Sequence, residues 1–323
     1  MEYKFNNPLV TGGAGFIGSH LVDSLIEKGC KTTVLDNLST GSLSNLAHIN
    51  DRITFIKGDI RDYETVVKAA KGCDVIFHQA AVVSVPQTVK EPVDSAMVND
   101  MGTLFVLESA RKNNIKRVVL ASSCAVYGDY PQVPKHENMN PEPLSPYAVQ
   151  KLTGEMYAGL YPDLYGIATV CLRYFNVYGP RQDPSSPYSG VISIFMKKAI
   201  LNEPPVIYGD GNQYRDFIFV KDVVRANLLA ADAKNAGGKA FNVGTGVFIN
   251  INRLWDMIRR ISGVDIKPEY KSLRPGDILK SVASIDRAKA DLDFESEYIF
   301  ENGLAETFKW YKRITQVDHC NQN

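Results

Sequence analysis

A chain of 323 residues, 45% of them hydrophobic and 22% charged, is long enough to bury one large core or two smaller ones and has the make-up of an ordinary water-soluble protein. Its 36 basic and 36 acidic side chains cancel, which argues against a nucleic acid or an acidic membrane surface as partner. The five cysteines (Cys30, Cys73, Cys124, Cys171, Cys320) form neither a CxxC pair nor a Cys/His cluster, so disulfides and metal are not expected; with no apolar run of membrane-spanning length and no export signal at the start, a cytoplasmic protein is.

The first strand signal is Leu9-Val10. Asn6-Asn7-Pro8 cut it short, because proline cannot donate within a central ladder, and a brief strand starting near Pro8 is expected. Thr11-Gly-Gly-Ala-Gly-Phe-Ile-Gly18 follows and opens a helical pattern with Ile17, Leu21, Leu25 and Ile26 apolar, stopped by Gly29. Thr32–Asp36 reads as a second strand. A strand, a Gly-rich turn, a helix and a second strand ending in an acid form the layout of a dinucleotide site. Gly12, Gly15 and Gly18 let the backbone approach a pyrophosphate where Phe16 and Ile17 start the helix. Asp36 is placed to accept from the adenosine ribose hydroxyls. A carboxylate there repels a 2′-phosphate, and Asn37-Leu38 offer no cation, so NAD is favoured over NADP.

Strand and helix signals keep alternating. Ile53–Ile56 is a strand before Gly58-Asp59, and Asp62–Ala70 is helical. Asp74–Ala81 reads as a buried strand whose small last residues leave room for a flat ligand, with His78 as a core histidine. Pro92–Asn113 is a long helix and Arg117–Ser123 a strand. A proline-rich loop then leads to Ser145-Pro146, an N-cap followed by a first helical residue. Tyr147 and Lys151, four apart on that helix, share one face; the helix dipole and the ammonium both favour a phenolate, which makes Tyr147 a candidate general base. Thr169–Tyr174 is a further strand. Repeated strand–helix units imply an α/β fold with a doubly wound parallel sheet, whose ligands bind beyond the carboxyl ends of the strands. Gly12–Gly18, Asp36, Gln79–Ala81, Ser122-Ser123 and Tyr174–Asn176 all lie there. After about residue 176 the pattern loosens: a helix over Val191–Asn202, strands over Val206–Tyr208 and Asp216–Val220, Asp222 as the cap of a helix running to about Asp232, then helices over Ile251–Ile261 and Asp286–Asp291. Trp255, Met257 and Ile258 read as core. Residues 1–175 are expected to form the cofactor domain and 176–323 mainly a smaller α+β substrate domain, with segments near 216–245 returning to the first.

Four motifs in order, Thr11–Gly18, Ser122-Ser123 with Tyr127-Gly128, Tyr147 with Lys151, and Arg173-Tyr-Phe-Asn-Val-Tyr-Gly-Pro180, make the chain resemble the extended short-chain dehydrogenases/reductases over about residues 8–310. Within them it resembles the UDP-hexose 4-epimerases, most of all the branch acting on UDP-N-acetylglucosamine (UDP-GlcNAc). The resemblance implies a Rossmann sheet, NAD as cofactor and a UDP-sugar as substrate. It implies Tyr147 as the base, Lys151 as the residue that holds the nicotinamide ribose and lowers the tyrosine's pKa, and Ser123 as the partner of the reacting sugar hydroxyl. It places Asn37, Asp59 and Ile60 at the adenosine end and Gln79, Ala80, Ala81, Asn99, Ser122 and Tyr174 along the rest of the cofactor. On the substrate it implies Asn176 at the phosphates, and Arg215 and Arg274 at the diphosphate and uridine, where a guanidinium fork binds two oxygens at once. Ser84, Val191, Tyr208, Asp277 and Ser281 complete that site.

Departures narrow the reaction. Relatives that eliminate water or remove a carboxyl place acids just after the serine, where this chain has Cys124 and Ala125. Asn176 stands where epimerases of UDP-glucuronate often have threonine. A non-catalytic NAD-binding relative tends to lose the Tyr or the Lys, and both are present. Ser281 is small at a position where a tyrosine would restrict the pocket, so UDP-GlcNAc and its galacto epimer (UDP-GalNAc) are the expected substrates, with UDP-glucose and UDP-galactose as further ones. Relatives pair through the Pro92–Asn113 and Tyr147 helices, so a homodimer is expected.

Overall fold

Seven strands form the central sheet: β1 (Pro8–Thr11), β2 (Thr33–Asp36), β3 (Thr54–Lys57), β4 (Val75–His78), β5 (Arg117–Ser123), β6 (Ala168–Tyr174) and β7 (Lys239–Val243). They pair in the order β7-β6-β5-β4-β1-β2-β3, every ladder parallel. The computed structural model describes residues 5–183, 190–273 and 278–320. Successive strand residues point to opposite faces, and both faces are covered, so the strands read as unbroken apolar runs. Val10, Phe77, Val119, Leu172 and Phe241 enter a core with the Phe16–Glu27 and Val220–Asp232 helices. Leu9, Ile76, Val118, Leu120 and Cys171 enter a second core with the Tyr63–Ala69, Gly102–Lys112 and Pro146–Tyr165 helices. β1 begins at Pro8, and the Asp74 carboxylate accepts from the backbone N–H groups of Asn6 (2.6 Å) and Asn7 (3.1 Å), which anchors the approach to the strand.

Three expectations are corrected. The Asp74–Ala81 strand stops at His78, after which Gln79 and Ala80 lie against the Gly-rich turn. The Pro92–Asn113 helix is interrupted by a wider π-turn over Met97–Met101, in which Asn99 takes up the backbone of Val82 through N–H to Oδ1 (2.8 Å) and Nδ2–H to the carbonyl (2.9 Å). Asp222 does not cap: the helix starts at Val220, and Asp222 accepts instead from the N–H groups of Glu297 (3.0 Å) and Tyr298 (3.2 Å).

The later residues build three small sheets beside the carboxyl edge. Asn176–Tyr178 pairs with Phe217–Phe219, Val206–Tyr208 with Glu269–Lys271, and Tyr214–Arg215 lies between Ile249–Asn250 and Lys280–Ser281. Their core gathers Phe195, Trp255 and Tyr311, with Trp255 edge-on to Phe195 at 5.6 Å and its indole N–H donating to the Ile266 carbonyl (3.0 Å). Among the described residues no helix is long and apolar enough to cross a membrane.

Candidate active site

Strand order reverses between β1 and β4, and there the two backbones nearly touch. Gly12 leaves β1 with φ +71°, and a Cβ on it would stand 2.6 Å from the Ala80 nitrogen. A Cβ on Gly18, one turn into the helix, would stand 2.1 Å from the Gly12 oxygen. Gly15 occupies the N-cap with no side chain to cover the free N–H groups around Phe16 and Ile17, and their positive end faces the crevice. Asp36 ties the same turn down: Oδ2 accepts from the Ala14 N–H (2.9 Å) and Oδ1 from the Leu38 N–H (2.8 Å). A carboxylate has capacity for further donors, such as a ribose diol. This crevice, which a Cβ would fill, with a helix N-terminus and an acid at its rim, fits a dinucleotide.

The edge beyond Asp36 is also organised. The Asn37 amide donates to Asp59 (2.9 Å), and Arg61 grips Asp59 through Nε (3.0 Å) and Nη2 (2.8 Å), holding its carboxyl down at about 2. The Arg61 charge is thus neutralised by Asp59. Ile60 turns its side chain into the core, against Gly102. On the other side of the crevice, Gln79 and Tyr174 close a buried triangle with Asn227: Gln79 Nε2 to Tyr174 OH is 3.1 Å, Gln79 Nε2 to Asn227 Oδ1 is 3.0 Å, and Asn227 Nδ2 to Tyr174 OH is 2.8 Å. Ala80 lies against Gly12, and the Asn99 amide also donates to Gln150 (2.7 Å). His78 is a core residue. Thr103 gives its hydroxyl proton to the Asn99 carbonyl (2.6 Å), so the imidazole donates to Thr103 from Nε2 (3.0 Å) and accepts from Thr11 at Nδ1 (2.7 Å). Burial pushes its pKa down to about 3.

Ser145 caps the Pro146–Tyr165 helix, its Oγ accepting from the Ala148 N–H (3.2 Å), and Gly166 ends it at φ +65°. Tyr147 therefore sits in the first turn, hydrogen-bonded to Ser123 at the end of β5. The Lys151 ammonium lies 5.9 Å from the centre of the Tyr147 ring and donates to the Ala121 carbonyl (2.9 Å). Here burial works against the helix dipole and the ammonium. Loss of solvent outweighs the Ser123 hydrogen bond and pushes the Tyr147 phenol up to about 12, while the same burial pushes Lys151 down to about 8.

Across the crevice, Ser281 lies opposite Arg215 in the Tyr214–Arg215 ladder. The half-buried Cys124, one residue after Ser123, has its thiol beside Ser281 and in the field of Arg215. The fold thus brings Ser123, Tyr147, Cys124, Ser281 and Arg215 to one place. Asn176 enters beside them, its Nδ2 donating to the Asp216 carbonyl (3.0 Å). Ser84 caps the Val85–Lys90 helix, its Oγ accepting from the Gln87 N–H (3.1 Å). Val191 starts the Val191–Ile200 helix, and Tyr208 ends a short strand opposite Lys271. Arg274 and Asp277 lie outside the described residues.

Sequence reasoning missed Asp216, Asn227, Glu155, and Arg173 as anything beyond a motif letter. The fully buried Asp216 carboxylate accepts from the Thr245 N–H (2.8 Å) and hydroxyl (2.7 Å), the Gly246 N–H (2.9 Å) and the Ala283 N–H (3.1 Å), and so fixes both loops that flank Arg215 and Ser281. One signal was available: a lone charge inside an apolar strand, as Arg173 is, demands a buried partner.

A doubly wound sheet with a dinucleotide crevice and a Tyr/Lys/Ser cluster at its rim defines an extended short-chain dehydrogenase/reductase. The sequence profile of the NAD dependent epimerase/dehydratase family matches residues 8–244. The chain belongs to that family, in its UDP-sugar 4-epimerase branch, and is an NAD-dependent enzyme. It is 39% identical over 312 residues to the UDP-glucose 4-epimerase of Mycolicibacterium smegmatis, covering 95% of this chain and 99% of that one. Among solved structures it is similar to the UDP-N-acetylglucosamine 4-epimerase of Methanobrevibacter ruminantium in complex with UDP-N-acetylmuramic acid (44% identity, TM-score 0.92, 97% and 99% of the two chains). It is also similar to the UDP-glucose 4-epimerase of Thermotoga maritima with UDP-glucose (40% identity, TM-score 0.91, 96% and 99% of the two chains).

Proposed function

We propose that the enzyme inverts C4 of UDP-N-acetylhexosamines, interconverting UDP-GlcNAc and UDP-GalNAc, and also accepts UDP-glucose and UDP-galactose. The observation that carries the sugar choice is the contact of Ser281 with Cys124 beside Ser123. Two small side chains line that wall next to the reacting hydroxyl, and a bulky 2-acetamido group needs such room.

NAD, when bound, would supply reversible hydride transfer at C4. Gly12, Gly15 and Gly18 would hold its pyrophosphate, Asp36 its adenosine ribose, and Lys151 the ribose next to Tyr147. Ser123 bridges Tyr147 and the C4 hydroxyl, and Tyr147 takes the hydroxyl proton and later gives it back. A Lys151 side chain near 8 is still mostly an ammonium at pH 7, so it supplies the positive charge that a phenolate needs. Asn176, Tyr208, Arg215 and Arg274 hold the UDP half, which lets the sugar half turn without leaving. Cys124 and Ala125 supply no acid for an elimination. In this reading residues 1–175 mainly hold the cofactor and 176–323 mainly the UDP-sugar, in a cytoplasmic homodimer.

The test is incubation of the purified protein with UDP-GlcNAc and no added cofactor. Formation of UDP-GalNAc is expected; accumulation of NADH without it would make the enzyme a net dehydrogenase. Ser281→Tyr should remove turnover of the acetamido sugars and spare UDP-glucose, and unchanged turnover of both would defeat the role given to Ser281.

A further inference from the structure

The helix that carries Tyr147 and Lys151 presents a third polar residue on the same stripe. Glu155 follows Lys151 by four positions, so the three side chains rise one above another. The chemistry above makes no use of it, yet its buried carboxylate is fully engaged. Arg173 donates to it from Nε (2.9 Å) and Nη2 (2.7 Å), and the Ser122 hydroxyl donates at 2.5 Å. Ser122 and Arg173 are directly opposite in the β5–β6 ladder, so Glu155 pins the helix to the last rungs of two strands. The linkage continues: Arg173 Nη1 donates to the Tyr127 hydroxyl (2.9 Å), which donates to Asn242 Oδ1 on β7 (2.7 Å). The Asn242 amide donates onward to the carbonyls of Lys135 (2.8 Å) and Ser284 (3.0 Å). Two features connect this rod to the reaction. Ser122 immediately precedes Ser123, so holding one fixes the peptide that aims the other. Glu155 and Lys151 also line one void of about 10 Å³, shared with Ser122, Asn99 and Gln150.

Resting on the epimerase reading, we infer that Glu155 is a positioning residue: its grip on Arg173 and Ser122 sets the Tyr147–Lys151 stripe against Ser123, and its negative charge keeps Lys151 an ammonium. The groups facing Lys151 are few. From its own helix come Tyr147 and Glu155, from the Met97–Met101 turn Asp100, from β4 His78 and from β6 Cys171. His78 is held neutral, and burial pushes the Cys171 thiol up, so Glu155 and Asp100 are the groups whose negative charge opposes the loss of the Lys151 proton.

The experiment measures kcat against pH for UDP-sugar epimerisation. Glu155→Gln removes the charge and leaves Arg173 buried without an anion, which can prevent folding. Glu155→Gln/Arg173→Met removes both charges and covers that case. In either, kcat should fall about tenfold with KM unchanged, as expected of misplaced groups. In Glu155→Gln the alkaline limb of the profile, where Lys151 loses its proton, should move down by about one pH unit. Ser122→Ala, which keeps the ion pair, should lower kcat by about three- to tenfold with the limb in place. An unmoved limb in Glu155→Gln, or an unchanged kcat in Glu155→Gln/Arg173→Met or in Ser122→Ala, overturns the inference. An inactive wild-type enzyme overturns the epimerase reading instead.

Discussion

At the scale of single residues, Tyr147 and His78 show burial acting in opposite services. The Tyr147 side chain is half-buried, with Ser123 as the partner of its hydroxyl. Tyr147→Phe keeps the ring, so it should leave the unfolding midpoint nearly unchanged and lower kcat by about 10²–10⁴, the usual worth of a positioned acid or base; a variant that keeps wild-type turnover would remove Tyr147 from the mechanism. His78 is neutral when folded, with a pKa pushed from 6.5 down to about 3, but it takes a proton when the chain unfolds. Above about pH 6.5 this contributes no penalty. As the pH falls from there towards 3, stability is lost at about 1.4 kcal/mol per pH unit from this residue. Urea unfolding between pH 7 and 5 should show that slope, and His78→Gln, less stable at neutral pH, should show a shallower one. An identical slope in the variant would mean that His78 is not the group that titrates. His20, pushed down to about 4 by burial, adds loss of the same sign.

At the scale of elements, the Gly-rich turn is the tightest constraint. A Cβ at Gly18 would sit 2.1 Å from a backbone oxygen, which no rotamer change can relieve. Gly18→Ala should therefore cost about 2–3 kcal/mol by urea unfolding and abolish NAD binding by calorimetry; retained binding would show that the turn can shift. This element was legible in the sequence because its requirement is local: glycines at fixed offsets between a strand and a helix. The Ser145-Pro146 start was legible for the same reason, and so were the strands Arg117–Ser123 and Val206–Tyr208. What could not be read is set by distant partners. The π-turn at Met97–Met101 depends on Val82, Asp222 is drawn to Glu297 and Tyr298, and β4 ends just before Ala80 lies against Gly12. The burial that raises the Tyr147 phenol is likewise not reported by the Tyr147–Lys151 spacing. Glu155 followed Lys151 at the same interval, but its partners lie on β5 and β6.

At the scale of the whole molecule, one face remains uncovered. Met156, Leu160 and Leu164 repeat every four residues along the outer side of the Pro146–Tyr165 helix with more than half their surface exposed, and Val89 and Val93 stand exposed on the neighbouring helices. The proposed second copy would cover this stripe, and Leu160→Glu should convert the dimer to a monomer in sedimentation; an unchanged sedimentation coefficient would place the contact elsewhere. The far edge of the sheet has another consequence. Its last strand, β7, comes from residues 239–243, well into the second half of the chain, and it carries the Asn242 that ends the buried rod from Glu155. During synthesis, a nascent chain that stops at residue 175 has all of β1–β6 but an open β6 edge, and its Arg173–Tyr127 pair has no far anchor. Such a fragment should aggregate rather than behave as a free cofactor-binding unit. The catalytic stripe therefore gains its far anchor only once residues 239–243 have been made.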